Sequence, residues 1–236
     1  MRNGYEINSF AGTALFCGAF VGYNFINGHL FSKNTSIRFK LIKILSLIAL
    51  PLGIYAVSII PETSHPYLIA AGVLSAWYKR PVFNKRSLRD YPFLKIATVA
   101  MVWTLLSEGL AISMIDTLLT TANYAIYIQR FLLVFLLCIP FEIRDLNTDN
   151  GKIITLPKLI GVKKTLLLSA CLTLVAILCT MVAYEVFPIF GLLDVVILLI
   201  TLVLIIVAPT KKDYYFAAFY VEAIPILYLL AYYLFT

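Results

Sequence analysis

Residues 142–161, EIRDLNTDNGKIITLPKLIG, decide how the rest of this chain is read. They follow the apolar run 131–141 and place three carboxylates where a membrane helix would surface. Glu142, Asp145 and Asp149 are spaced so that on a helix they share one face. Three acids on one face repel one another unless a cation sits among them. Mg²⁺ takes oxygen ligands and keeps phosphate oxygens as partners, so this face is a candidate metal site. A solvated acidic turn interleaved with Arg144 and Lys152 fits the same spacing.

Composition sets the class around that stretch. Hydrophobic residues make up 61% of the 236 residues and charged residues only 13%; mean hydropathy is +0.92. A soluble domain is nearer half apolar and a quarter charged. The chain reads as all-α, a polytopic membrane bundle of about eight transmembrane helices in a single domain over 1–236. The candidate spans are 9–27, 41–60, 66–78, 94–114, 122–142, 165–185, 189–208 and 214–235. The third is short for a full crossing. The start of the chain has one Arg and no small-residue cleavage site, so the first span is expected to be retained.

Charge follows the same alternation. The connections 28–40, 79–95, 143–164 and 209–213, with Lys43 just beyond the first, hold every Lys and Arg except Arg2 and Arg130. The connections 61–65, 115–121 and 186–188 hold none. Positive loops stay in the cytoplasm, so both termini are expected outside and the protein in a cell inner (cytoplasmic) membrane. Topology thus explains the net charge of +7 without a nucleic-acid partner, and basic loops also favour anionic lipid head groups.

Other features carry two readings each. Asn24 and Asn27 end the first span; they can offer neutral oxygens to a metal or polar substrate, or close the helix together with Gly28. In 77–92, WYKRPVFNKRSLRDYP, cations and aromatics fit an interfacial belt, and equally a mouth binding diphosphate through charge-assisted bonds. Glu108, Arg130 and Glu222 lie within spans, where ionisable groups face the bundle interior or water. Arg130 paired with either Glu would be a structural tie; together they could also form a polar cavity floor. Gly18 and Gly22 form a GxxxG, the pattern of close helix packing. Cys17, Cys138, Cys171 and Cys179 all lie in apolar segments, without the spacing of a zinc site or disulfide framework.

Residues 142–161 resemble the second aspartate-rich motif of the UbiA superfamily of intramembrane prenyltransferases: DxxDxxxD, then Gly-Lys, Thr-Leu-Pro and Gly. Asp145, Asp149, Gly151, Lys152, Thr155, Leu156, Pro157 and Gly161 match in order, and Glu142 replaces the first Asp. Tyr78, Pro81, Lys85, Arg86 and Pro92 are similar to the family's central segment. The resemblance implies a UbiA-like bundle and one Mg²⁺ on Glu142, Asp145 and Asp149, with Asp145 and Asp149 in the catalytic role. It implies that Asn24, Asn27, Tyr78, Lys79, Lys85, Arg86, Arg144 and Lys152 bind a prenyl diphosphate or other isoprenoid lipid. The family's first acidic motif is replaced here by Asn24–Asn27, with no carboxylate between Glu6 and Glu62, and one helix fewer is seen than the family usually has.

Three functions are therefore open, ranked in the order given because the second motif is kept so fully. A divergent prenyltransferase would move a prenyl group from its diphosphate to an aromatic or lipid acceptor with Mg²⁺ assistance. A non-catalytic relative would bind an isoprenoid or lipid in the bundle cavity. A small transporter or assembly subunit would use Glu108, Arg130 and Glu222.

Overall fold

A computed structural model describes residues 9–26, 28–31, 36–80, 87–114, 120–146, 154–184, 189–210 and 215–235. Among these residues every regular element is helical. In chain order they are α1 (Ser9–Ile26), α2 (Ile37–Ile59), α3 (His65–Lys79), α4 (Pro92–Thr104) and α5 (Leu110–Ser113), then α6 (Thr121–Asp145), α7 (Leu156–Ile160), α8 (Val162–Ala183), α9 (Ile189–Val207) and α10 (Ile224–Phe235). One π-helical turn, Leu105–Gly109, links α4 to α5, and another, Phe216–Val221, precedes α10.

Five helical stretches are long and apolar enough to cross a membrane: Ile37–Ile59, Pro92–Ser113, Thr121–Asp145, Val162–Ala183 and Ile189–Thr210. Helices also cover the remaining candidate spans, as α1, α3 and the shorter apolar stretch Phe216–Ala231. The chain is thus an all-helical membrane protein.

The helices form two compact units. The first comprises 1–80 and 105–117, the second 81–104 and 118–236. In the first unit α1 packs on α2. The close approach there lies at Gly53, where an added Cβ would come 3.0 Å from Cβ of Cys17. Gly18 and Gly22, the expected packing pair, have open space where a side chain would stand. That expectation is corrected: the small residue at the contact belongs to α2. At Gly109 an added Cβ would meet the Tyr67 ring at 2.5 Å, so the π-helical turn packs directly on α3. Thr63 donates to the Ser113 carbonyl at 2.8 Å, and the Ser64 and Ser113 hydroxyls share a 2.7 Å bond.

In the second unit α6 is central. It packs on α4, α8 and α9, and its buried Leu132, Phe135, Leu136, Ile139 and Ile143 join Ile96, Ala100, Ala176, Leu198 and Ile205 in one core. Helix α8 shows why this unit suits lipid. Its buried face carries Thr165, Ser169, Thr173, Ala176 and Thr180, while Leu167, Leu174, Leu178 and Val182 point outward. In water that distribution would be inverted. In a bilayer, small residues let helices approach closely and lipid covers the leucines. The hydroxyls leave no burial penalty, because each donates to the carbonyl four residues earlier: Thr165 to Gly161, Ser169 to Thr165, Thr173 to Ser169 and Thr180 to Ala176.

Candidate functional site

The residues that resemble the acidic motif divide at the end of α6. Glu142 and Asp145 lie in its last turn; Asp149, Gly151 and Lys152 fall outside the described residues, as do Asn27, Pro81, Lys85 and Arg86. Thr155, which is 1% exposed, takes the N-cap position of α7, and Pro157 stands in the first turn, where a missing N–H costs nothing. Gly161 ends α7 with φ +86° and begins α8. An L side chain is strained at that angle, so the motif's last glycine has a backbone reason of its own.

Glu142 is the best-defined member of the group. It is 3% exposed. Its Oε1 lies 2.6 Å from the Lys95 ammonium, which arrives from the first turn of α4. Its Oε2 accepts the backbone N–H of Leu156, the first residue of α7, at 3.1 Å. A carboxylate placed against a helix N-terminus is favourably oriented. One side chain therefore joins α4, α6 and α7. Asp145 is about a quarter exposed and is held by its neighbour: Nε and Nη2 of Arg144 both lie 2.8 Å from its Oδ1. The Arg144 guanidinium also lies 5.2 Å from the centre of the Phe141 ring.

The single Mg²⁺ implied by the resemblance can be tested on this donor set. A hard cation takes oxygen ligands. Both oxygens of Glu142 already face a donor, one of them a full positive charge, and Asp145 faces Arg144 through Oδ1. Among the described residues no group of three His, Cys, Asp or Glu side chains is placed to hold a metal. Glu142 as it stands therefore has both oxygens engaged, and the third acid, Asp149, lies outside the described residues.

The other described candidate residues, Asn24, Tyr78 and Lys79, lie in the first unit. Asn24 is buried; its amide donates to the Phe20 carbonyl at 2.9 Å, and its oxygen is 3.1 Å from Nδ1 of His29. Gly28, at φ +72°, donates to the Phe25 carbonyl at 3.0 Å. These bonds close the end of α1. Tyr78 and Lys79 end α3, and Arg80 lies 5.3 Å from the Phe25 ring centre. The structure thus brings Asn24 to the same end of this unit as Lys79.

A second charged cluster escaped the sequence reading in part. Arg130 on α6 has Nη1 2.9 Å from Oδ1 of Asp194 on α9. The Tyr228 hydroxyl on α10 donates to the same oxygen at 2.7 Å, and Nη2 of Arg130 donates to that hydroxyl. The guanidinium also lies 4.6 Å from the Tyr228 ring centre, a cation–π contact. Asp194, which the sequence reading did not pair with Arg130, is an acid bridged to it here. The missed signal was plain, since Asp194 is the one charge in an apolar run of nineteen residues, and such a residue requires a partner. Glu222 is exposed and Glu108 half-buried.

Comparison with known protein families, characterised proteins and solved structures gives no match to this chain.

Proposed function

We propose that this chain is a UbiA-like integral membrane protein that binds an isoprenoid lipid with an anionic head group and does so without a metal. One observation carries the reading. The start of α4, the end of α6, α7 and the start of α8 meet at one end of the second unit, and the acid buried there is already neutralised. Lys95 compensates Glu142, and Arg144 compensates Asp145. Lys158, Lys163 and Lys164 remain exposed beside them, so this end is net positive. Lysine and arginine make charge-assisted bonds to phosphate oxygens, and Lys85, Arg86 and Lys152 belong to the adjoining connections in the sequence.

Eight crossings with connections 28–40, 79–95, 143–164 and 209–213 in the cytoplasm complete the proposal. External labelling of cysteines introduced at Ser87 or Asn150 in intact cells would reverse that orientation.

The divergent prenyltransferase is the second reading. It is favoured by the partial exposure of Asp145 and by the retention of Asp149 and Lys152 in the sequence. The transporter reading is weakened because Arg130 is bound to Asp194 and Tyr228.

The deciding experiment gives purified protein labelled prenyl diphosphates, monophosphates and alcohols of several lengths, with Mg²⁺ or with chelator. Binding of the phosphorylated lipids that survives chelation, without release of diphosphate, is the expected result. Mg²⁺-dependent diphosphate release would put the prenyltransferase first.

A further inference from the structure

We infer that Lys95 is a resident cation standing where a divalent metal would otherwise bind Glu142, which makes Glu142 a positioning residue for α7 and not a metal ligand. Three observations converge. The ammonium is 2.6 Å from Oε1, and both side chains are largely buried, with 14% of Lys95 and 4% of Glu142 exposed. The second oxygen is committed to a fixed donor, the Leu156 N–H, whose place is set by the α7 backbone. The two donors come from different elements, so moving one leaves the other in place. A metal approaching Glu142 would meet an ammonium already in contact with the carboxylate. Two cations on one buried carboxylate repel strongly, and only one can be compensated.

The substitution also explains why an acid is kept at this position without metal chemistry. Leu156 begins a helix of five residues, and its N–H is one of the donors a helix N-terminus cannot satisfy internally. Glu142 supplies that acceptor at a buried position, and Lys95 places an opposite charge 2.6 Å from its other oxygen. Loss of Lys95 therefore leaves a buried carboxylate in need of a cation.

The inference goes beyond the lipid-binding reading and is tested without any lipid. The probe is Mn²⁺ alone, titrated into the purified full chain in detergent and followed by electron paramagnetic resonance. Wild type and Glu142→Gln are expected to bind Mn²⁺ alike. Lys95→Met is expected to bind it more tightly by about tenfold or more, the scale on which a site's surrounding groups alter metal affinity. Adding Glu142→Gln to Lys95→Met should return binding to the wild-type level. Weaker Mn²⁺ binding in Glu142→Gln than in wild type overturns the inference, as does a folded Lys95→Met that gains no affinity. If Lys95→Met does not fold, the comparison of wild type with Glu142→Gln still decides. A failed prenyl-lipid experiment leaves these outcomes unchanged, so the two ideas fall separately.

Discussion

Two buried ion pairs lie in the same helical unit and are built differently. Arg130–Asp194–Tyr228 ties three long helices, α6, α9 and α10, by side chains alone. Lys95–Glu142 ties α4 and α6 and adds a backbone donor from α7. In the first, two charges touch directly while a phenol bonds to both and lies with its ring against one of them. In the second, the carboxylate serves a helix terminus. The difference separates a lock between helices from a support for a turn.

Removing one partner of the Arg130 cluster should have the largest effect. Asp194→Ala leaves a guanidinium in an apolar bundle, and breaking a buried pair costs about 3–5 kcal/mol. Unfolding in a detergent–denaturant titration measures it. Arg130→Met with Asp194→Leu should recover most of the loss, because no unpaired charge remains; a double variant as unstable as the single one breaks the description of a lock.

Glu142→Gln should be milder. The amide oxygen still accepts from Leu156, but its NH2 then faces the Lys95 ammonium, so that bond is lost, at about 1.5–3 kcal/mol for a hydrogen bond to a charged group. Hydrogen exchange at residues 156–160 should quicken more than exchange in α9. Equal effects on both helices would erase the distinction between support and lock.

Tyr228→Phe keeps the ring over Arg130 and removes the hydroxyl bridge. Two hydrogen bonds to charged groups go with it, and the expected loss is about 1.5–3 kcal/mol, read from the same denaturant titration.

Asp145→Asn closes the series. Its partner is the adjacent Arg144 and the pair is partly exposed, so the change should stay within about 1 kcal/mol, as for surface ion pairs. A loss as large as that of Asp194→Ala would show that Asp145 has a role its described neighbours do not reveal.

Much of the helix plan was legible in the sequence, because hydropathy is a local property. Helix α6 ends near the expected boundary since Glu142, Arg144 and Asp145 follow a long apolar run. Asn24 and Gly28 close α1 through bonds no more than five residues apart, and that distance is within reach of a sequence argument. The packing glycines were not legible. Gly18 and Gly22 have the right spacing and no neighbour, whereas Gly53 and Gly109 belong to no such motif and meet Cys17 and Tyr67. Spacing defines a helix face; it does not say which helix lies against it.

The sequence by itself determined that this chain is a membrane protein of helices, that its cations gather in alternate connections, and that carboxylates at 142, 145 and 149 precede a Thr-Leu-Pro. All of these follow from composition and periodicity, which each segment carries independently of the others. Only the tertiary structure decided that Lys95 answers Glu142 and that Arg130 answers Asp194 and Tyr228. A buried charge must be compensated wherever the fold supplies an opposite one. That partner lies on whichever helix is adjacent in space, 64 residues away in the case of Asp194 and 98 in the case of Tyr228.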